Sequence, residues 1–437
     1  MPRRPNPTGK LMYADHPNFG CRCLKCAVLQ LSVHVDTTPV QYRRGRARLN
    51  GVHHNRFGSV DMPHDSENKK TAYVWDKFVR GFHWLLLVCI GVSLISGYLL
   101  GATWLQLHYI AGTVAVTLVA TRVLWGGLGP TYARFSSFIT STKTLRDHFD
   151  ALRAGTASRH LGHNPLGALM VLALLASVLG LGLTGTIALG GIFKVGPLAF
   201  MTSFKVGSLV SYAHAFLATV LMWLIGAHIA GALFESFRTR ENLPKSMVTG
   251  RKQIRVGDHA APAKKAKPIM MTLVLIPLLG GTAYGLTNLA SKPGLGVPAY
   301  PLNKTYAAEC SECHIAYHPS LLSTVDWQNL MATLPNHFGE DASLDPATVS
   351  ELTDWLTANA SETADTKPAH VLSLTNPAKP FALTETKFWI ATHQAVPAAT
   401  FSRPPIFAKS NCAACHQDTA TGRYLPTNIE IPRKPTS

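Results

Sequence analysis

Charge is scarce in this chain. Of its 437 residues only 15% are Asp, Glu, Lys or Arg, whereas 47% are hydrophobic. That balance argues against an ordinary soluble domain and for a membrane protein. Acid is the scarcer sign, with 24 Asp and Glu against 41 Lys and Arg and a formal net charge of +17. Such an excess raises nucleic-acid binding as a function. Its placement argues otherwise: it lies mostly in residues 1–70 and in the run between Phe234 and Pro268, beside apolar segments, while the C-terminal region is slightly acidic. A secretory signal is lacking at the start, "MPRRPNPTGK". The eight cysteines do not read as a disulfide framework, because four are committed to another motif. Beyond residue 290 methionine is reduced to Met331.

What is present is a set of long apolar runs. Five are long enough to cross a bilayer: about Phe82 to Leu100, Leu107 to Trp125, Leu166 to Ile192, Val206 to Phe234, and a run from Ile269 interrupted by Pro277. Basic residues gather before the first span (Lys69, Lys70, Lys77, Arg80), between the second and third (Arg134, Lys143, Arg146, Arg153, Arg159) and between the fourth and fifth. The other two loops are nearly uncharged apart from Lys194 and Lys205. The positive-inside rule then predicts a cytoplasmic N-terminus, and five crossings put the C-terminal region on the outer face.

The four committed cysteines form two Cys-x-x-Cys-His motifs, Cys310/Cys313/His314 and Cys412/Cys415/His416. The pattern reads as covalent haem c attachment: the thiols bond the vinyl groups and the histidine takes the iron. A shared zinc site finds no support in motifs so far apart. Haem c chemistry belongs outside the cytoplasm, so the motifs themselves require the weak fifth span. Without a suitably placed methionine, the sixth ligands are sought among His318, His337, His370 and His393.

Ionisable groups within spans are functional candidates by default. His83, His108, His214 and His228 qualify. The last two are fourteen residues apart on one helix, hence about 21 Å apart in depth and about 40° from alignment. The topology pairs His83 with His228 near the cytoplasmic face and His108 with His214 near the outer face. Two imidazoles per iron leave no open coordination position, which suits single-electron transfer. Arg80 and Arg122 are candidate partners for haem propionates, since guanidinium binds carboxylate bidentately. His160 and His163, where the third span begins, are interfacial caps or part of a quinone site. Cys89 reads as packing.

The stretches "VWDKFVRGFHW", "LHYIAGTVAVTLVATRVLWGGLGPTYARFSSF", "RHLGHNPLGALMVLALL" and "ENLPKSMVTGRK" resemble the prokaryotic cytochrome b561 family, in particular the cytochrome b subunits that anchor nickel–iron hydrogenases. The resemblance covers about residues 71–252. It implies a four-helix bundle, two haems b, quinone exchange, and His83, His108, His214 and His228 as axial ligands. Relatives often carry His-Glu where this chain has His214-Ala215, so a role for that acid is not carried over. Residues 300–432, through "CSECHIAYHPSLL", "DWQNLMATLPNHFGEDASLD", "TETKFWIATHQAVP" and "NCAACH", resemble periplasmic dihaem cytochromes c. That resemblance implies His337 and His393 as sixth ligands, without saying which serves which haem. It leaves His318 an accessory.

The expected architecture is all-α. A basic, irregular extension covers residues 1–70, with Met62 as an alternative start. A four-helix membrane domain (71–252), a basic cytoplasmic linker (253–267), a fifth transmembrane helix (268–290) and a mostly helical dihaem domain (300–437) follow. Cys21, Cys23, Cys26, His53 and His54 in the extension make only a weak metal motif. The expected function is electron transfer between a quinone, or another membrane redox partner, and a periplasmic redox protein, through two haems b and two covalent haems c. Its enzymatic form would be quinol:cytochrome c-type oxidoreduction. The rivals are a haem-bearing anchor subunit for a separate hydrogenase, dehydrogenase or reductase, and a haem-based gas or redox sensor.

Overall fold

The computed structural model describes residues 71–139, 141–256, 258, 261–373 and 378–433. The cysteine and histidine clusters of the extension and the Met62 start lie outside the described residues.

Among the described residues five helices are long and apolar enough to cross a membrane, and three of them start at a side-chain cap. Helix α1 (Lys77–Tyr98) begins at Asp76, whose carboxylate accepts the Val79 N–H. Helix α2 (Leu105–Leu128) follows a 3-10 turn at Ala102–Trp104. A short amphipathic helix, α3 (Thr142–Arg153), is capped by Ser141 in the loop before the third span. Helix α4 (Pro165–Ala188) is capped by Asn164 and ends in a π-helical turn, Leu189–Phe193, closed by Lys194 in the left-handed conformation. Helix α5 (Phe204–Thr239) is capped by Ser203. Its 36 residues rise about 54 Å, well beyond an apolar layer of about 30 Å, so it projects into the basic face. There α6 (Leu243–Thr249) follows, and then α7 (Pro268–Ala290), which keeps Pro277 within its length.

The bundle closes on small apolar contacts. Cys89, Ala115, Val119, Leu175, Val178 and Leu221 form one core cluster, so Cys89 is indeed packed. Helices α4 and α5 meet at Gly191 and Gly207, where a Cβ on either would lie 2.6 Å from the other's Cα. Only glycine permits that approach, which is how helices gain contact when lipid offers no hydrophobic drive. Leu85, Val88, Phe216 and Trp223 face outward, as lipid-facing side chains do.

Two three-residue strands were not anticipated: β1 (Thr71–Tyr73) pairs antiparallel with β2 (Arg251–Gln253), Ala72 opposite Lys252. They are too short to show a period of two in the sequence. They tie the lead into α1 to the segment after α6.

Beyond the fifth span, α8 (Lys304–Cys310), α9 (Thr324–Ala332), α10 (Pro346–Ala358), α11 (Lys367–Leu372), α12 (Lys387–His393) and α13 (Ala398–Phe401) surround a core of Tyr306, Leu321, Trp327, Met331, Leu352 and Leu356. Trp355 and Trp389 pack at its edge. Met331 is spent on this core, which explains why it serves no other purpose.

Candidate haem sites

Two facing imidazoles whose nitrogens approach one metal at about 2 Å have ring centroids about 6 Å apart. Three histidine pairs meet that spacing. His108 and His214 lie 6.1 Å apart between α2 and α5, His314 and His337 6.1 Å apart, and His393 and His416 6.2 Å apart. The fourth pair, His83 on α1 and His228 on α5, lies within electrostatic range. The sequence leaves open the partners of His314 and His416; the fold brings His337 to the first and His393 to the second.

Hydrogen bonds decide which ring nitrogen is available. His108 Nδ1–H donates to the Ser93 carbonyl at 2.9 Å. His393 Nδ1–H donates to the Trp389 carbonyl at 2.9 Å, and His314 Nδ1–H to the Ile315 carbonyl at 2.8 Å. A carbonyl only accepts, so each Nδ1 carries the proton and each Nε2 keeps a free lone pair. His214 Nδ1 is 3.0 Å from Thr184 Oγ1, whose own proton goes to the Gly180 carbonyl at 2.8 Å. That leaves the threonine oxygen as the acceptor. Orienting bonds of this kind accompany metal-bound imidazole. Glycines make room for the rings: a Cβ at Gly97 would lie 3.1 Å from His108, and one at Gly185 3.1 Å from His214. Gly112, one turn beyond His108, has nothing within 4 Å of its missing Cβ. Neutral imidazole pairs, spare Nε2 groups and glycine-lined faces fit haem held between two histidines.

The motif cysteines lie on short local elements ahead of their histidines. Cys310 ends α8, Cys313 and His314 follow it, and Cys412 and Cys415 flank a 3-10 turn ahead of His416. Burial, and for Cys310 the neighbouring Glu309, push the Cys310 and Cys412 thiols up to about 11.

The arginines part company. Arg122 is buried, its Nη1 has no partner, and its guanidinium lies over the Phe135 ring. A buried guanidinium nitrogen without a hydrogen-bond partner, with Asp76 the acid in electrostatic range, fits an anionic propionate. Arg80 instead donates to the Val248 carbonyl and the Tyr73 hydroxyl, bracing β1 and α6, with Nε left over. His163 packs between Trp75 and Phe138, with centroids 4.8 and 4.7 Å away. Burial, with Arg122, Lys252 and His228 nearby, lowers it to about 3. His160 stacks edge-on to His148 at 5.3 Å. His318 is buried, lies 2.8 Å from the Ser320 hydroxyl through Nδ1 and stacks on Tyr300. His370 pairs with Asp365 and stacks on Phe204, which removes it from the ligand candidates.

Some residues of consequence escaped the sequence reading. Asp365 and Arg423 join the C-terminal domain to the bundle, and Lys194 was noted only as a stray charge in a neutral loop. That stray charge was the available signal. On the opposite face, Arg159 holds Glu241 at 2.8 Å and pairs with Asp258, beside Lys252.

Residues 74–250 match the family described as prokaryotic cytochrome b561, and residues 306–424 that described as dihaem cytochrome c. The chain is 25% identical over 230 residues to the Probable Ni/Fe-hydrogenase 1 B-type cytochrome subunit of Escherichia coli (strain K12), covering 45% of this chain and 97% of that one. Among solved structures, the dihaem cytochrome c of Shewanella baltica is 30% identical, covering 30% of this chain and 95% of that one, with a TM-score of 0.25. That of Rhodobacter sphaeroides is 35% identical, covering 28% and 97%, also with a TM-score of 0.25.

Proposed function

We propose, for a chain that belongs to the prokaryotic cytochrome b561 family over residues 74–250 and to the dihaem cytochrome c family over residues 306–424, that it is a self-contained electron conduit across the bacterial inner membrane. Membership makes it a haem-bearing, multi-pass electron-transfer protein. The proposal adds the count, the partners and the sidedness. Four histidine pairs hold two haems b and two haems c. The bundle exchanges electrons with a quinone, and the C-terminal domain passes them to a soluble periplasmic redox protein.

The observation that carries this reading is the repeated pairing of histidines in one chain, three of the pairs with ring centroids 6.1 to 6.2 Å apart. Haem supplies reversible one-electron chemistry at an iron closed by two imidazoles. The chain's residues do the rest. His83 with His228 holds the inner position, and His108 with His214 the outer one. His314 with His337, and His393 with His416, hold the two covalent positions, to which Cys310, Cys313, Cys412 and Cys415 supply the thioethers. Arg122 neutralises a propionate near the inner position. Sidedness is supported by the lysines and arginines gathered on the face opposite the C-terminal domain.

Pyridine haemochrome analysis of purified protein is expected to return two haems b and two haems c. Any other ratio defeats the count. Redox-monitored spectroscopy in membranes should show both types reduced on addition of quinol. A second reading is favoured by the Escherichia coli relative, whose name makes it a subunit: the bundle also docks a separate enzyme. Co-purification of a catalytic subunit from native membranes would establish that.

A further inference from the structure

The contacts between bundle and C-terminal domain are specific enough to set an order. Arg423 Nη2 donates to the Phe193 and Lys194 carbonyls at 3.2 and 3.0 Å. These carbonyls belong to the C-terminal end of the α4 π-turn, where backbone acceptors lack partners and the helix dipole is negative. Asp365 does the complementary job on α5. Its Oδ2 accepts the Phe204 N–H at 2.9 Å, at the positive N-terminal end, and the Lys194 ammonium at 2.6 Å. Lys194 is 2% exposed at its side chain and donates also to the Thr202 carbonyl at 2.9 Å. A lysine so buried holds its place only when paired. Two charges of the C-terminal domain thus sit on two helix ends, each of the opposite sign to its charge.

The residues after Arg423 continue the contact. Tyr424 lies edge-on to His416, with centroids 5.2 Å apart. Pro426–Asn428 packs on Ala102–Trp104 and on α2, just ahead of His108. The same segment is laced to the second motif. Gln417 N–H donates to the Asn428 carbonyl at 3.0 Å, Glu430 N–H donates to the Cys415 carbonyl at 2.8 Å, and His416 bridges Ile429. The first motif is reached through the second: the Tyr317 hydroxyl donates to the Ser410 carbonyl at 2.8 Å, and its ring lies 5.3 Å from His314.

We infer that Arg423–Glu430 is a docking arm, clamped by Arg423 and by Lys194–Asp365, that seats the Cys412/Cys415/His416 site against the His108/His214 end of the bundle. Electrons crossing the bundle therefore enter the C-terminal domain at the second motif. The first motif, Cys310/Cys313/His314, is the port to the soluble partner. Arg423 and Asp365 are positioning residues. The inference rests on the conduit reading above and adds the sequence of sites to it.

The test uses full-length protein in phospholipid vesicles. Equilibrium redox titration resolves the two haems c. His393→Met and His337→Met each raise the potential of their own haem, since methionine in place of histidine does so, and thereby label it. Arg423→Ala is expected to move the haem labelled by His393→Met; movement of the other haem, or of neither, overturns the order. In rapid mixing with a quinol, Arg423→Ala/Asp365→Asn should leave haem b reduction unchanged and slow haem c reduction by about tenfold or more, as loosening a positioned pair does. An unchanged rate overturns the clamp. Failure of the wild type to accept electrons from quinol would instead defeat the quinone reading and leave the titration to decide the order.

Discussion

At the scale of single residues, four of the eight histidines assigned to iron have Nδ1 occupied by a neighbouring oxygen, three by a backbone carbonyl and His214 by Thr184. The fold thus selects the tautomer that offers Nε2 before any ligand arrives. Thr184→Val removes the acceptor of His214 and keeps the shape. It is expected to weaken retention of one haem b by about ten- to a hundredfold, the usual effect of losing an outer partner. His214→Ala should remove that haem b altogether. The haem b to protein ratio on purification checks both, with haem c content unchanged. Histidine identity was legible in the sequence, because intramembrane imidazoles are rare. The tautomer was not, because its acceptors lie fifteen or more residues away, on other helices, for His108 and His214.

At the scale of elements, helix starts were readable from Asp76, Asn164 and Ser203, and lengths from the apolar runs. Helix crossings were not. Gly191 and Gly207 look like ordinary membrane glycines in sequence, yet each occupies the space of the other's Cβ. Gly207→Leu is expected to force α4 and α5 apart at a cost of about 1–3 kcal/mol, read as a lower unfolding temperature in detergent. A Cβ at Gly182 would lie 2.4 Å from a Val116 methyl, the end of a side chain, so Gly182→Ala should cost less. Asp365 offers a pH test. Burial raises its carboxyl, but hydrogen bonds from Lys194, His370 and the Phe204 N–H outweigh that and hold it below the usual carboxylate range. A depressed value means its contribution to docking is complete above about pH 4 and is lost as pH falls further. Lys194 and His370 are the charged or titratable groups facing it. Protection of residues 193–204 from hydrogen exchange, relative to the unstructured chain at the same pH, should stay high from neutral to about pH 4 and fall below it. In Asp365→Asn the exchange should already be quicker at neutral pH and lack this acid step.

At the scale of the whole molecule, the C-terminal domain meets the turn before α2 and the loop between α4 and α5, on one face of the bundle. The basic loops gather on the other, around Arg159 and Lys252. Externally added protease on sealed, right-side-out spheroplasts is therefore expected to cut in residues 291–433 and spare the loop after α5. The reverse pattern would invert the assigned sidedness. Carbon monoxide should leave the spectrum of the reduced protein unshifted, because the proposed histidine pairs would close every iron on both sides. A shift would restore the sensor reading.

The sequence by itself determined the membrane class, the five crossings, the candidate histidines and cysteines proposed to take haem, and the two families. Each of those signals is local: an apolar run, a five-residue motif, a rare residue in an apolar setting. Only the tertiary structure shows which imidazoles lie beside His314 and His416, the pairing of His370 with Asp365, and the contacts of Asp365 and Arg423 with the bundle. These depend on residues far apart in the chain, Lys194 and Asp365 being separated by 171 positions. Nothing in the spacing of either residue announces the other; helix ends of opposite polarity, brought side by side at one face of the bundle, do.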